Sequence, residues 1–297
     1  MIELIFLGTS SMVPTKERNQ SALFISYGTE GILVDCGEGT QRQLKMANIS
    51  LTKISRILIT HWHGDHVLGL PGLLQSLAAS NYTRTLKIYG PNGTKKHFSH
   101  MFEAFVFDRA IELDIIEIKE GTFFENNDLS LSAVSLNHGI ITFGYIFQEK
   151  DKRKILISKV QKLGIPEGPL LGQLQQGKPI SWKGKEVRPE ETTKIVPGKR
   201  IGIISDTLPC NACMIIAKNA DLLISEATYS SKFEGKSECY NHMTSKQAAL
   251  IASNSGAKRL ILTHFSARYK STLELNEESH IIFPNTECAY DLMRVRL

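Results

Sequence analysis

Arg56-Ile57-Leu58-Ile59-Thr60-His61-Trp62-His63-Gly64-Asp65-His66 is the stretch on which the reading of this chain turns. Its first five residues are a short, mostly apolar run of the kind that forms a buried strand, and the next six carry four groups able to ligate a metal. Imidazoles at His61 and His63 can converge on one ion while Asp65 and His66 turn toward a second. Packing such groups beside an apolar strand is costly unless a cation or hydrogen bonds compensate them. The stretch therefore marks a metal centre at a strand end, rather than a solvated loop holding three of the chain's nine histidines.

A pair of divalent ions bridged by a carboxylate needs about seven ligand side chains. Three more residues lie just past apolar runs, where a loop can aim them at a common edge. His138 follows Leu129 to Leu136, Asp206 follows Arg200 to Ser205, and His264 follows Arg259 to Thr263. We assign His61, His63 and His138 to one ion, Asp65, His66 and His264 to the other, and Asp206 to the bridge. Nitrogen and oxygen donors without thiolate suit two Zn2+ per subunit, with Mn2+ or Co2+ as substitutes. Asp35, which ends the run Gly31 to Val34, is expected to orient a histidine from behind rather than to ligate.

The chain of 297 residues is 42% hydrophobic and 22% charged, which suits an ordered α/β protein. No apolar run approaches the roughly 20 residues of a membrane helix. The N-terminus lacks a basic segment followed by an export core, so a cytoplasmic protein with no membrane partner is expected. Five cysteines, odd in number and scattered, read as ordinary thiols in a reducing compartment, although Cys210 and Cys213 have a C-x-x-C spacing. Charge is unevenly placed: Lys150 to Arg200 holds 13 Lys or Arg against five Asp or Glu, more net positive charge than the +5 of the whole chain. Such a segment suits a polyanion, because neutralising phosphates releases counterions.

Short β-like runs fall at 2–7, 22–26, 31–35, 54–60, 86–89, 113–118, 129–136 and 142–147, with helical patterns at 38–48, 68–80 and 97–105. The second half predicts strands at 155–157, 201–205, 221–225, 259–263 and 280–282 and helices at 210–219, 244–254 and 286–293. Thr244 or Ser245 starts the helix at 244–254. Together these predict two mixed sheets face to face with helices outside. The Gly- and Pro-crowded stretch 162–185 does not read as a buried regular element. Leu163, Ile165, Leu170 and Leu171 nevertheless anchor it, so a structured protrusion inserted into one domain over 1–297 is expected. The inserted basic region spans 150–195.

The cluster His61 to His66, with distant His138, Asp206 and His264, resembles the metallo-β-lactamase superfamily. Within it the chain is similar to the ribonuclease Z family over essentially its full length. Leu7-Gly8-Thr9-Ser10 and Asp35-Cys36-Gly37-Glu38-Gly39-Thr40 match that family's opening strands and turns, and Phe265-Ser266-Ala267-Arg268-Tyr269 its loop after the last ligand. The resemblance implies an α/β, four-layer αββα sandwich with a protruding Gly/Pro-rich arm, about 163–185, that clamps precursor tRNA. It also implies a homodimer, and a substrate end formed by Lys16, Arg18 and Asn19 with Ser266 and Arg268 on a phosphate. The implied reaction is endonucleolytic removal of the tRNA 3′ trailer after the discriminator nucleotide, through a hydroxide activated by two metals. The competing reading is another two-metal nuclease or a small-molecule hydrolase of the same fold.

The departing 3′-oxygen needs a proton that a ligating histidine cannot give. His242, in the loop before the helix at 244–254, is a histidine outside the ligand set and occupies that family's proton-donor position. Glu226, after Leu222 to Ser225, is placed to orient it. Asp65 is both a ligand and the nearest carboxylate able to take a proton from the attacking water. His97 and His100 read as structural, and His280 as the start of an apolar strand.

Overall fold

The computed structural model describes residues 1–106 and 111–297. In chain order its strands are β1 Ile2–Gly8, β2 Ala22–Tyr27, β3 Glu30–Val34, β4 Arg56–Leu58, β5 Leu86–Gly90, β6 Leu113–Glu117, β7 Gly121–Glu125, β8 Leu129–Asn137 and β9 Ile141–Glu149. They continue as β10 Lys152–Ile155, β11 Ile180–Trp182, β12 Lys185–Val187, β13 Thr193–Val196, β14 Arg200–Ile204, β15 Leu222–Glu226, β16 Leu260–Thr263, β17 Thr286–Cys288 and β18 Arg294–Arg296. Two seven-stranded sheets result, ordered β18-β1-β2-β3-β4-β5-β6 and β17-β16-β15-β14-β9-β8-β7.

Each sheet has a parallel half. β3, β4, β5 and β6 run parallel, as do β14, β15, β16 and β17. The inner strands are covered on both faces, which is why β3, β14, β15 and β16 carry short apolar runs (Ile32 to Val34, Ile203-Ile204, Leu222 to Ile224, Leu260 to Leu262), while the edge strands β6 and β17 carry Asp114, Glu117 and Glu287. Tyr145 of β9 donates from its hydroxyl to Ile59 O at 2.6 Å, and Tyr27 meets Phe147 edge-on with centroids 5.6 Å apart, so the sheets face each other. On the outside of the first, Leu70, Leu73, Leu74 and Leu77 of the helix Leu70–Ala79 pack on Leu7, Leu33, Ile57 and Ile88. Outside the second, Ile216, Ala248, Ala249 and Ala252 pack on Ile204, Leu223 and Leu262. The layers are helix, sheet, sheet, helix. Truncating one of these buried leucines to alanine costs about 2–5 kcal/mol.

The domain expected over 1–297 divides into two compact units. One comprises 1–124, 131–147 and 200–297, and the other 125–130 and 148–199. The second takes in all of 150–195, and it is structured as expected, although regular elements with buried residues run through 162–185, where Pro and Gly argue against a buried regular element. Helix Ile157–Leu163 ends at Gly164, whose φ of 64° serves as a left-handed cap, and helix Pro169–Gln175 begins on a proline with no amide proton to lose. β10 pairs with β13 and β11 with β12. Val160, Ile165, Leu174, Ile180 and Val187 make a small core, against which Leu170 and Leu171 pack, while Leu163, expected as an anchor, is 40% exposed.

Three further expectations change. Residues 155–157 are the end of β10 and the start of a helix, not a strand. Residues 280–282 close the helix Leu273–Ile282, so His280 is helical, and 286–293 contains β17 instead of a helix. β17 exists because it pairs in register with β16, Leu260 opposite Thr286, a partner that local pattern does not reveal. Of the two expected starts, Thr244 is the cap of the helix Ser245–Ser255, and the structure adds a reciprocal box with Gln247.

Candidate metal centre

All the site residues lie in the first unit, and the candidate ligands lie at the carboxyl ends of its strands, the edge where open α/β sheets place their chemistry. Asp35 follows β3, His61 to His66 follow β4, and His138 follows β8. Asp206 follows β14, Glu226 ends β15, and His264 follows β16. Asp35 and His264 turn off their strands with φ of 59° and 62°, a region that non-glycine residues rarely occupy. The turn after β3 is clamped to the helix Gly64–Val67: Cys36 N donates to His66 O and Gly69 N to Cys36 O, each at 2.8 Å. Gly69 permits this approach, because a Cβ there would lie 2.1 Å from Gly37 O.

Two donor groups form. His61, His63 and His138 converge, with His63 Nδ1 3.1 Å from both His61 Nε2 and His138 Nε2. Asp65, His66, Asp206 and His264 form the other, with His66 Nε2 3.3 Å from His264 Nε2 and Asp65 Oδ2 3.4 Å from His264 Nε2. Asp206 reaches both groups: Oδ2 lies 3.7 Å from His61 Nε2 and His138 Nε2 and 3.4 Å from His66 Nε2, while Oδ1 lies 3.3 Å from His264 Nε2. Donors held about 2.0–2.1 Å from a tetrahedral ion stand roughly 3.3 Å from one another, so this is ligand spacing.

The hydrogen bonds behind the ring point lone pairs into it. His66 Nδ1 donates to Asp35 Oδ2 at 2.7 Å and His138 Nδ1 to Asn241 O at 2.8 Å, which leaves each Nε2 as an acceptor facing the centre. Thr60 donates to Asp35 and so accepts from His61 Nδ1 at 2.9 Å; Thr228 donates to Glu226 and accepts from His264 Nδ1 at 3.0 Å. Asp206 Oδ1 is buried with no hydrogen-bond partner among the described residues. Converging lone pairs and an orphaned carboxylate oxygen are what a cation would satisfy, and the residues fit one.

Charge follows the same logic. Burial and the neighbouring imidazoles hold His61 well below the usual histidine range. Burial opposes a charge on His66, yet Asp206 and Asp35 lift it well above that range, so the charged form carries a second proton on Nε2, whose place a cation in the centre would take. Burial opposes ionisation of Asp206 too, but His264 and His66 keep its carboxyl well below the usual value. His242 lies against both groups, its ring centroid 5.0 Å from that of His138 and 5.5 Å from that of His264. Burial alone would lower it; the charge of Glu226 and its hydrogen bond to Nδ1 at 3.1 Å, with Asp206 and Asp65, raise it to about 9. His63 is exposed, which marks the open side.

The substrate-end residues divide. Lys16 and Arg268 are exposed, and Arg268 lies over the rings of Phe233 and Tyr229 at 4.4 and 5.1 Å, beside Ser266. Arg18 does not offer its fork outward. It is only 8% exposed, and its Nη2 donates to Tyr269 O at 2.6 Å, so it ties the loop before β2 to the loop after His264. Asn19 likewise uses its amide on Glu38 O at 2.7 Å. Asp291 was missed: it accepts from Thr9 Oγ1, Asn19 N and Gln43 Nε2 at 2.7–2.8 Å, and nothing around it in sequence marks it. Thr60 and Thr228 were missed as well, though each sits one or two residues from a predicted site residue. His97, expected to be structural, stacks on Trp62 with centroids 4.5 Å apart.

A family model described as Anti-Pycsar protein Apyc1 matches residues 2–159, which include His61 to His66 and His138 but not Asp206, His242 or His264. A ribonuclease Z of Methanothermobacter thermautotrophicus is 38% identical over 100% of this chain and 97% of its own length. Among solved structures, the short form of human tRNase Z superposes with a TM-score of 0.73 at 26% identity, over 99% of this chain and 98% of that one. The metallo-β-lactamase fold protein YhfI of Bacillus subtilis superposes with a TM-score of 0.72 at 18% identity over 99% and 98%, a likeness of fold.

Proposed function

The chain belongs to the ribonuclease Z family, and from that premise we propose that it removes the 3′ trailer of precursor tRNA by one endonucleolytic cut. The cut falls after the discriminator nucleotide and leaves a 3′-hydroxyl on the tRNA and a 5′-phosphate on the trailer. The observation that carries this reading is the pairing of a two-part donor ring, joined by Asp206, with a histidine outside it that Glu226 keeps charged. Two Zn2+ fit the ring, one on His61, His63 and His138, the other on Asp65, His66 and His264, with Asp206 shared; Mn2+ or Co2+ are substitutes. Bound ions supply a water of lowered pKa and positive charge against the phosphate oxygens.

The chain's own residues do the rest. Asp65 Oδ2 accepts from Met12 N at 2.7 Å, which fixes the carboxylate beside the centre where it can take a proton from the attacking water. His242, charged and turned by Glu226, protonates the departing 3′-oxygen. Lys16, Ser266 and Arg268 take phosphate, while Arg18 and Asn19 hold their loops in place. In the second unit Lys178, Lys183 and Lys185 are exposed within 163–185, and this basic surface is our candidate arm for the body of the tRNA. We further propose a homodimer in which one subunit's arm positions tRNA for the other, acting in the cytoplasm. No helix among the described residues is long and apolar enough to cross a membrane.

An end-labelled precursor with a short 3′ trailer tests the proposal. One internal product ending in a 3′-hydroxyl after the discriminator supports it. Stepwise trimming, or turnover of small phosphodiesters alone, points to the other hydrolases of this fold.

A further inference from the structure

Cys210 and Cys213 take no part in the chemistry above, yet the fold holds them as a pair. Cys210 precedes the helix Asn211–Ala217 in extended conformation and Cys213 lies in its first turn, so both side chains leave the same face. Their sulfurs are 3.7 Å apart, and Cys213 N donates to Cys210 O at 3.0 Å. Residues linked in this way keep their Cα atoms about 5–6 Å apart, inside the span of a disulfide. Closing one needs the sulfurs to approach to about 2.05 Å, a movement within reach of side-chain rotation.

The two thiols are unequal. Cys213 is fully buried, whereas Cys210 is partly exposed and is the one that a reagent meets first. The Cys213 thiol and Thr207 hydroxyl lie against the Cys210 sulfur, with the amides of Cys213 and Ala212. The hydrogen bond from Cys213 leads these in lowering Cys210 to about 5, while the same bond and burial push Cys213 up. A thiolate outside and a protonated thiol behind it are the arrangement of an attacking and a resolving cysteine.

We propose that Cys210 and Cys213 form a reversible dithiol–disulfide site for hydroperoxides or small disulfides, and that closing it slows cleavage. With hydrogen peroxide, the Cys210 thiolate attacks one oxygen, the O–O bond breaks, and hydroxide leaves a sulfenic acid on Cys210. The Cys213 sulfur then attacks the Cys210 sulfur; the S–O bond breaks, and the oxygen departs as water with the Cys213 proton. Two electrons pass from the sulfurs to the peroxide. With a small disulfide, the Cys210 thiolate attacks one sulfur, the S–S bond breaks and the other sulfur leaves as a thiolate; Cys213 then attacks the Cys210 sulfur of the mixed disulfide and expels the second thiol with its own proton.

The coupling runs through Thr207, between Asp206 and the pair. Its N–H donates to Glu226 Oε1 at 2.7 Å, the oxygen that also accepts from His242 Nδ1. Drawing Cys210 inward pulls on the turn 207–210 and on this shared oxygen. This part rests on the function proposed above; the thiol chemistry does not.

The metal-loaded full chain is treated with hydrogen peroxide or oxidised glutathione, alkylated and mapped by mass, with metal content and kcat followed in the same samples. Cys239, free and exposed, is the internal control. A Cys210–Cys213 crosslink should form, with a mass loss of about 2 Da, while Cys239 still alkylates. Cleavage should fall about 10-fold at unchanged metal content and recover with a phosphine reductant. Cys213→Ser should stop at a single adduct on Cys210, and Cys210→Ser should lose the response. The proposal is overturned if both thiols still alkylate as readily as Cys239 after oxidation. A disulfide that leaves kcat unchanged, or equal inhibition of Cys210→Ser, also overturns it. Failure of the reduced protein to cut tRNA would strike the functional reading, since the crosslink is read without substrate.

Discussion

Replacing Asp35 by asparagine tests the hydrogen-bond logic of the centre without touching a ligand. Asp35 is 5% exposed and accepts three bonds: Thr60 N on Oδ1 at 2.8 Å, and Thr60 Oγ1 and His66 Nδ1 on Oδ2 at 2.8 and 2.7 Å. An amide has one acceptor oxygen where two are needed. With that oxygen toward Thr60 N, the NH2 group faces His66 Nδ1, which must then give up its proton; His66 carries it on Nε2 instead, aimed at His264 and Asp206. With the amide reversed, NH2 meets the buried Thr60 N–H, donor against donor. The first arrangement disables a ligand, and the second leaves a buried donor unpaired at about 1–3 kcal/mol. Metal affinity should fall about 10–100-fold, or roughly 1.4–2.7 kcal/mol, with most of the loss in the His66 group. Competition with a chromophoric chelator gives the affinities, and nitrogen shifts of labelled histidine give the tautomer. Affinities within two-fold of the unaltered protein, with His66 still protonated on Nδ1, would refute the reasoning.

Asp206→Ala or His63→Ala should lower cleavage by orders of magnitude and metal content in the same samples; two retained metals with near-normal cleavage would sink the ligand assignment. His242→Ala should keep its metal and much of its tRNA binding while slowing the cut, and a precursor with a 3′-bridging sulfur should recover part of the rate, so no recovery points to positioning. Glu226 raises His242, and the charged donor form exists below the His242 pKa and is lost above it. Glu226→Gln should therefore move the alkaline fall of kcat to lower pH; bound cations place the starting limb below about 9 without changing that sign, and an unmoved limb contradicts the pairing. Replacing 163–185 by a short Gly/Ser link should cost tRNA affinity, more at low salt than at high, and leave hydrolysis of a small activated phosphodiester unchanged. Equal loss on the small substrate would place the segment in the catalytic scaffold.

The metal-type cluster, the strand-then-ligand pattern at His138, Asp206 and His264, and the two-sheet architecture were legible in the sequence for one physical reason. A buried strand is a short apolar or alternating run with its chemistry just past its end, so element and function are both local signals. The cap at Thr244 was readable on the same ground, since its box closes within one turn. Decisions made between distant segments were not. β17 needed β16, and the elements of 157–192 needed their own small core to outweigh Pro and Gly. Arg18 reads as a phosphate fork until the carbonyl of Tyr269, 251 positions away, takes it inward. Which nitrogen of His66 faces the centre depends on Asp35, and the pairing of Cys210 with Cys213 depends on where a helix begins. Residue types and spacing determined what chemistry this chain can do; hydrogen bonds and burial, which exist only once the chain has folded, decided which atoms present it.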